Sequence, residues 1–148
     1  MEKLILERDK EDFYILEVND KGETIEFDLT DIGLAERIMN ASDRILEIDK
    51  DYQEKTIKIS EEFKDNHVEM VRNIIKLEKE KSKEMRTLFD SFLGEGACQK
   101  IFGNKDNYGQ YALLMDALEP HFSKMELKLD KAKKKLASKY LQQNKDVI

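Results

Sequence analysis

The first apolar runs of the chain are short and of β type. Phe13-Tyr14-Ile15-Leu16-Glu17-Val18 is rich in β-prone side chains, and residues 23–29 alternate polar with apolar, setting Ile25, Phe27 and Leu29 on one face. Asn19-Asp20-Lys21-Gly22 between them is a Gly-containing connection of hairpin length. The pattern predicts a β-hairpin within residues 1–29. Two strands are marginally stable by themselves, so one face must pack on a helix or pair with a neighbouring subunit.

From residue 31 the period changes to one close to the heptad. Thr30 or Asp31 can cap the new element, Asp31 also bringing negative charge to a helix N-terminus. No Pro occurs before Pro120, and no Gly between Gly33 and Gly94. Ile38, Ala41, Ile45, Ile48, Tyr52, Ile59 and Phe63 form a seam that shifts at Asp65-Asn66-His67 and resumes at Met70, Ile74, Leu77, Met85, Leu88 and Phe92. Taken as one helix, residues 31–93 would span about 95 Å at about 1.5 Å per residue. Polar Lys55 and Glu62 interrupt the seam, so the expectation is a break and an antiparallel helical hairpin, with an elongated bundle as the alternative.

Residues 94–140 read differently. Gly94-Glu95-Gly96 ends the long helical region, the first Gly suiting a left-handed position just past a helix. Ala97 to Phe102 makes a short helical turn, and residues 103–107 a polar loop. Tyr108 to Leu118 is an amphipathic helix with Tyr111, Leu114, Met115 and Leu118 on one side. Pro120 either opens a new helix at its first turn or kinks a continuing one. The last helix is expected to reach about Tyr140, leaving residues 141–148 as a frayed tail. The whole predicts one domain of mainly α class: a β-hairpin, long charged helices, and a C-terminal helical subdomain. Thr87 to Lys124 holds four of the seven Phe, the only Cys, the only Pro and four of the six Gly. A chain that gathers aromatics and glycines in one place puts its specific folding there, and recognition is a second use for the same segment.

Composition supports this reading. Charged residues make up 39% of the chain, well above the roughly 25% of ordinary globular proteins, and hydrophobic residues 40%. Such a chain folds around a thin core with well-solvated helix faces. The net charge of −6 is unevenly spread: Lys124 to Lys139 contains seven Lys against Glu126 and Asp130, a local +5, so the remainder sums to −11. Lysines late in a helix favour the negative end of the macrodipole. A nucleic-acid patch is disfavoured because the stretch has no Arg and only Tyr140 nearby to stack on a base. An acidic body with a basic tail also allows copies to associate head to tail. The single Cys excludes an internal disulfide framework and fits a reducing compartment. No run approaches the ~20 apolar residues of a membrane span, and the acidic N-terminus is unlike a secretion signal. The expected location is the cytoplasm.

Candidate chemistry is thin. Gly94-Glu95-Gly96-Ala97-Cys98-Gln99 lacks the third glycine of a dinucleotide fingerprint, and Gly103 precedes Asn104 where a Walker loop needs Lys. Glu95 would repel a phosphate. Cys98 has no recognisable base beside it in sequence and reads as a small buried residue. His67 and His121 lie in no paired metal motif, and His121, between Pro120 and Phe122, reads as a packed residue with one ring nitrogen satisfied. Acidic pairs such as Glu61-Glu62 fit solvated helix faces. No catalytic residue, metal or cofactor is expected, and the residues alone indicate a non-enzymatic helical interaction protein.

Three blocks add a resemblance. Phe89 and Phe92-Leu93-Gly94-Glu95-Gly96 through Lys100-Ile101-Phe102-Gly103, together with Glu26-Phe27-Asp28-Leu29-Thr30-Asp31 and the run from Tyr111 through Met125, resemble a family of short proteins from tailed phages and prophages of Gram-positive bacteria. The resemblance spans about residues 23–125, with the Gly-Glu-Gly to Ile-Phe-Gly block its most specific part. Genes of that family commonly lie between those for the major tail protein and the tape-measure protein, the slot of tail assembly chaperones. The resemblance implies a self-associating helical protein of the host bacterial cytoplasm that keeps the tape-measure protein soluble until the tail tube polymerises, with the major tail protein as a second candidate partner. It brings no established active site. The recognition surface would be drawn from Phe89, Phe92, Ile101, Phe102, Tyr108, Tyr111, Leu114 and Phe122, and the same side chains are equally the material of a monomer core. A structural component of the virion tail and a phage-encoded inhibitor or adaptor of a host protein are the alternative functions.

Overall fold

Apolar side chains that recur at two different periods must be buried by elements of two kinds, and the computed structural model contains both. It describes the backbone of residues 1–146, and the side chains of residues 1–139 and of Leu141. Strands β1 (Phe13–Glu17) and β2 (Thr24–Asp28) pair antiparallel, with Tyr14 opposite Phe27 and Leu16 opposite Ile25. Asn19 makes the connecting turn, its side-chain Oδ1 accepting from the amides of Lys21 and Glu23 at 3.0 and 3.2 Å. Ile25, Phe27 and Leu29 are buried on the inner face, as the alternation requires.

The long region is an antiparallel helical hairpin: α1 (Leu34–Glu62) and α2 (His67–Leu93), joined by a tight turn at residues 63–66. Asn66 stops one helix and starts the next, its side chain accepting from the Glu69 amide at 3.2 Å. Across the pair, Arg44 meets Glu84 at 2.8 Å and Asp49 meets Lys81 at 2.9 Å. Helix α1 begins three residues past the expected Asp31. Asp31 nevertheless organises the entry: Oδ1 accepts from the Gly33 amide at 2.9 Å, and Oδ2 takes the Arg37 guanidinium at 2.6 Å.

Past α2, Gly94 has φ +115° and ψ 150°, so the left-handed residue is Gly96 (φ +78°, ψ 3°), which opens α3 (Ala97–Phe102). The left-handed position expected at Gly94 is thus moved by two residues. The shift lets the Asp90 carboxylate accept from the Cys98 amide at 2.9 Å, capping α3 from the end of α2. Helix α4 (Gln110–Asp146) starts after the polar loop and runs through Pro120 without interruption. Pro120 stands on an exposed face, where its missing amide leaves the Asp116 carbonyl to solvent. The helix also passes the expected end near Tyr140. The remainder of the expected frayed tail, residues 147–148, lies outside the described residues.

The core sits at one end of the helical hairpin. Phe89 and Cys98 are fully buried there with Phe27 and Ile48, and β-hairpin, α3 and the first half of α4 close over them. Phe89 stacks at tilted angles on Phe92 and Tyr111 with centroids 5.2 and 5.1 Å apart, and Phe102 meets Tyr111 edge-on at 5.4 Å. Phe27 touches Phe122 edge-on at 6.4 Å. No residue between 53 and 76 is buried, so the outer half of the hairpin stands clear of the core. Lysines cover the outer edges of the two-stranded sheet: Lys128 Nζ donates to the Phe13 carbonyl and Lys100 Nζ to the Thr24 carbonyl, each at 3.0 Å.

Two substitutions separate core from cap. Phe89→Ala is expected to cost about 3–5 kcal/mol of unfolding free energy. Asn66→Ala, at the exposed helix junction, is expected to cost about 1 kcal/mol. Urea denaturation followed by far-UV circular dichroism measures both, and a loss at Asn66 as large as at Phe89 would contradict the core position assigned here.

Candidate functional site

Of the residues expected to bind a partner, the structure takes most into the fold. Phe89, Phe92 and Leu114 are buried, and Ile101, Phe102, Tyr111 and Phe122 are half-buried and packed against the core. Their aromatic rings pack on one another because helix ends, with their glycines and short connections, bring them into one small volume. Tyr108 alone is well exposed, at 79%. Tyr108 lies just before Gly109, whose φ of +74° turns the loop into α4.

Tyr108 stands at the rim of a cleft. This cleft of about 460 Å³ lies between the helical hairpin and the start of α4. Ile45 of α1, Ile75 and Met85 of α2, and Tyr111 and Met115 of α4 supply its apolar wall. Tyr111 is fixed by its hydroxyl, which donates to the Ser82 carbonyl at 3.3 Å, and Ser82 also bonds the Asp106 carboxylate. Gln110 stands in the same wall at 5% exposure. Its Oε1 accepts from the Asn107 amide at 2.9 Å, while Nε2 is buried without a partner. An unsatisfied buried amide donor costs about 1–3 kcal/mol, so Gln110 is a local cost to the fold. Ile75 continues outward along α2 into Val71 and Val68, all at least 40% exposed and spaced three and four residues apart on one helix face. A ribbon of apolar surface therefore leads from the hairpin tip to the cleft.

The other depression, about 600 Å³ and open, is floored by a hydrogen-bonded set between α1 and α2. Tyr52 Oη donates to Glu84 Oε2 at 2.8 Å, and Arg44 spans Glu84 and Glu47. Burial, then the bond to Glu84 and its negative charge, push the Tyr52 phenol up to about 12. Lys55, which breaks the seam in the sequence, lies 4.7 Å over the Tyr52 ring and so has a packing role.

The remaining chemical groups are structural. Cys98 is fully buried. Burial, then the hydrogen bond and charge of Asp90, push its thiol up to about 12, which leaves no thiolate near neutrality. His121 Nδ1 pairs with Tyr14 Oη at 2.7 Å, joining α4 to β1, so the packed role read from its neighbours is the one it has. Among the described residues no group of three or more His, Cys, Asp or Glu is placed to hold a metal ion. No helix is long and apolar enough to cross a membrane.

Charge is arranged across the fold as well as along it. Residues 1–33 carry eleven acidic and four basic side chains, a net −7. The basic part of α4 lies beside this segment, Lys128 on the Phe13 carbonyl and Lys135 3.9 Å from Glu11. Arg8 ties the segment down, 2.7 Å from Asp28, and holds that carboxyl below its ordinary range through their hydrogen bond. Sequence reasoning missed both the cleft and Gln110. The only available signal was a Gln at the apolar start of an amphipathic helix, which is too common to single out.

The arrangement is that of a small helical protein with one apolar cleft and no assembled catalytic group among the described residues. The chain belongs to a family of unknown function, DUF6673, whose profile covers residues 21–146. No curated protein matches the chain, and no solved structure does.

The two buried acids set an alkaline limit. Both bind their protons more tightly folded than unfolded. Stability should therefore be level below their ordinary values of 9.0 and 10.0, and fall as pH rises through them toward about 12. Denaturation midpoints between about pH 7 and about pH 11 should show this decline, with Tyr52→Phe making it shallower above pH 10 and leaving the share of Cys98. A Tyr52→Phe profile identical to wild type would show that the phenol is not the titrating group. In the same preparation, Cys98 should react with a thiol reagent only after unfolding.

Proposed function

We propose that this protein is a non-enzymatic tail assembly chaperone of a bacteriophage or prophage, acting in the cytoplasm of the host bacterium. Its principal partner is the tape-measure protein, with the major tail protein second. The reading rests on the resemblance of residues 23–125, above all the block from Phe92 to Gly103. A tape-measure protein is a long helical chain whose apolar stripes aggregate until the tube encloses them. A protector needs a soluble, charged body with an apolar surface that can later be exchanged for tube subunits.

Most of the aromatic side chains first considered for recognition are already used in the core. The binding face is therefore proposed to be the cleft and its approach: Tyr108 at the rim, Tyr111 and Met115 within, and the ribbon of Ile75, Val71 and Val68 leading to it. An amphipathic helix laid along that ribbon would place an apolar side chain in the cleft.

The test is co-expression with a tape-measure protein from the same genome, followed by pull-down and light scattering. A tape-measure protein that is insoluble alone should become soluble in a complex holding many copies of this chain. Tyr108→Ser with Ile75→Ser should leave the thermal transition within a few degrees and weaken the complex by about tenfold or more, the scale of about 1.4 kcal/mol. Phe102→Ala and Tyr111→Ala should instead lower stability. No solubilisation, with the chain found in purified particles, would replace this reading with that of a structural tail component.

A further inference from the structure

The seam that α1 turns toward α2 is not its only apolar row. Met39, Leu46 and Ile57 are 68%, 69% and 54% exposed, and their separations of seven and eleven residues put them on one line along the outer face of α1. Beside them runs an acidic row, Glu36, Asp43, Glu47, Glu54 and Glu61, in steps of seven, four, seven and seven. Of these only Glu47 has an ion-pair partner among the described residues, Arg44 one turn away, and Lys50 is the one cation within the stripe. Met39, Leu46 and Ile57 are left uncovered by the other described residues.

The far half of α4 has the opposite character. The face that buries Leu118 and Met125 continues in register through half-buried Leu129 and Ala132 to Leu136, which is 62% exposed because the body it packs on has ended. Lys139 flanks Leu136 on one side and Lys133 on the other, each three residues away. Both are exposed, and neither has an ion-pair partner among the described residues. Met39 to Ile57 spans about 27 Å on α1, and Leu129 to Lys139 about 15 Å on α4, at about 1.5 Å per residue.

We infer that the acidic outer face of α1 is the docking surface for the basic far half of α4 from a second copy of this chain. Leu136 packs against Leu46, near the middle of the apolar row, and the lysines beside it reach the neighbouring Glu and Asp side chains. Like charge opposes the two alternatives of α4 on α4 and α1 on α1, so partner choice is set by sign. The contact is heterologous: each copy uses one face to give and another to receive, so copies add head to tail into rings or open chains. One helix on one helix over this length falls at the low end of interface sizes, below about 1,200 Å² in total, so association is weak and reversible. This inference does not depend on the chaperone reading and is tested on the protein alone.

Sedimentation equilibrium of the full chain from about 1 µM to about 100 µM should show a mass above the monomer that grows with concentration. It should weaken about tenfold or more between about 0.05 M and about 0.5 M salt, as the screening length shortens. Lys133→Glu and Lys139→Glu together should give a monomer. So should Asp43→Lys, Glu47→Lys and Glu54→Lys together. The decisive sample is their equimolar mixture: each variant repels itself but complements the other at both faces, so the mixture should regain wild-type association. Leu46→Ser or Leu136→Ser, which alter no charge, should also weaken association. A wild-type monomer throughout, a charge-reversed variant that still associates, a mixture that stays monomeric, or serine variants that associate as wild type would each overturn the inference. Circular dichroism confirms that every variant remains helical, as expected for changes confined to exposed positions.

Discussion

Burial of the Phe89 ring is the interaction on which the rest of the molecule depends. It lies where the end of α2, the start of α4, the short helix α3 and the inner face of the β-hairpin converge, in contact with Phe92 and Tyr111 and beside Cys98. A chain with 39% charged residues cannot cover all of its helical surface with apolar side chains. It concentrates its bulky groups at one joint and lets the helices project from it. The β-hairpin shows the same logic from the other side: two strands have no stability to spare, and Ile25, Phe27 and Leu29 persist as a strand face only because this joint receives them.

Polar contacts then fix the angles that packing leaves open. Asp90 caps α3 from the last turns of α2, Tyr14 bonds His121 across the β-hairpin and α4, and Tyr52 with Arg44 gathers on Glu84 between α1 and α2. Each links two different elements, and each holds a side chain of a type used in catalysis elsewhere. The buried thiol and the buried phenol are held protonated, and the histidine has a partner. These groups orient the fold, while Gln110, in the wall of the cleft between the helical hairpin and α4, keeps a buried donor without a partner.

Away from the joint, helices are longer than their packing requires. The outer half of the hairpin and the far half of α4 bury little, yet both carry apolar residues in register with charged rows. Such surfaces are a cost to a solitary soluble chain and are useful to one that works through reversible helix contacts. The signs of the rows differ, acidic on α1 and basic on α4, which gives contact between copies a direction. The family to which the chain belongs is defined over nearly the same residues as the fold and has no function assigned to it, so function has to be argued from these surfaces and from the resemblance of the central block.

Local rules determined much of this protein. Alternation at residues 23–29 set the buried face of β2, the near-heptad seam and the shift around Asn66 set a helical hairpin, and the glycines at 94, 96 and 103 bounded a short helix. These features follow from dihedral preference and side-chain period, both of which act over a few residues. Tertiary structure decided the rest. Pro120 stayed inside a helix because α4 is held on either side of it by Leu118 and Met125 in the core. Gly94 and Gly96 divided their conformations so that Asp90 could reach Cys98. The aromatic segment became core instead of surface, because whether a ring faces solvent depends on which distant elements converge on it, and no local period carries that information.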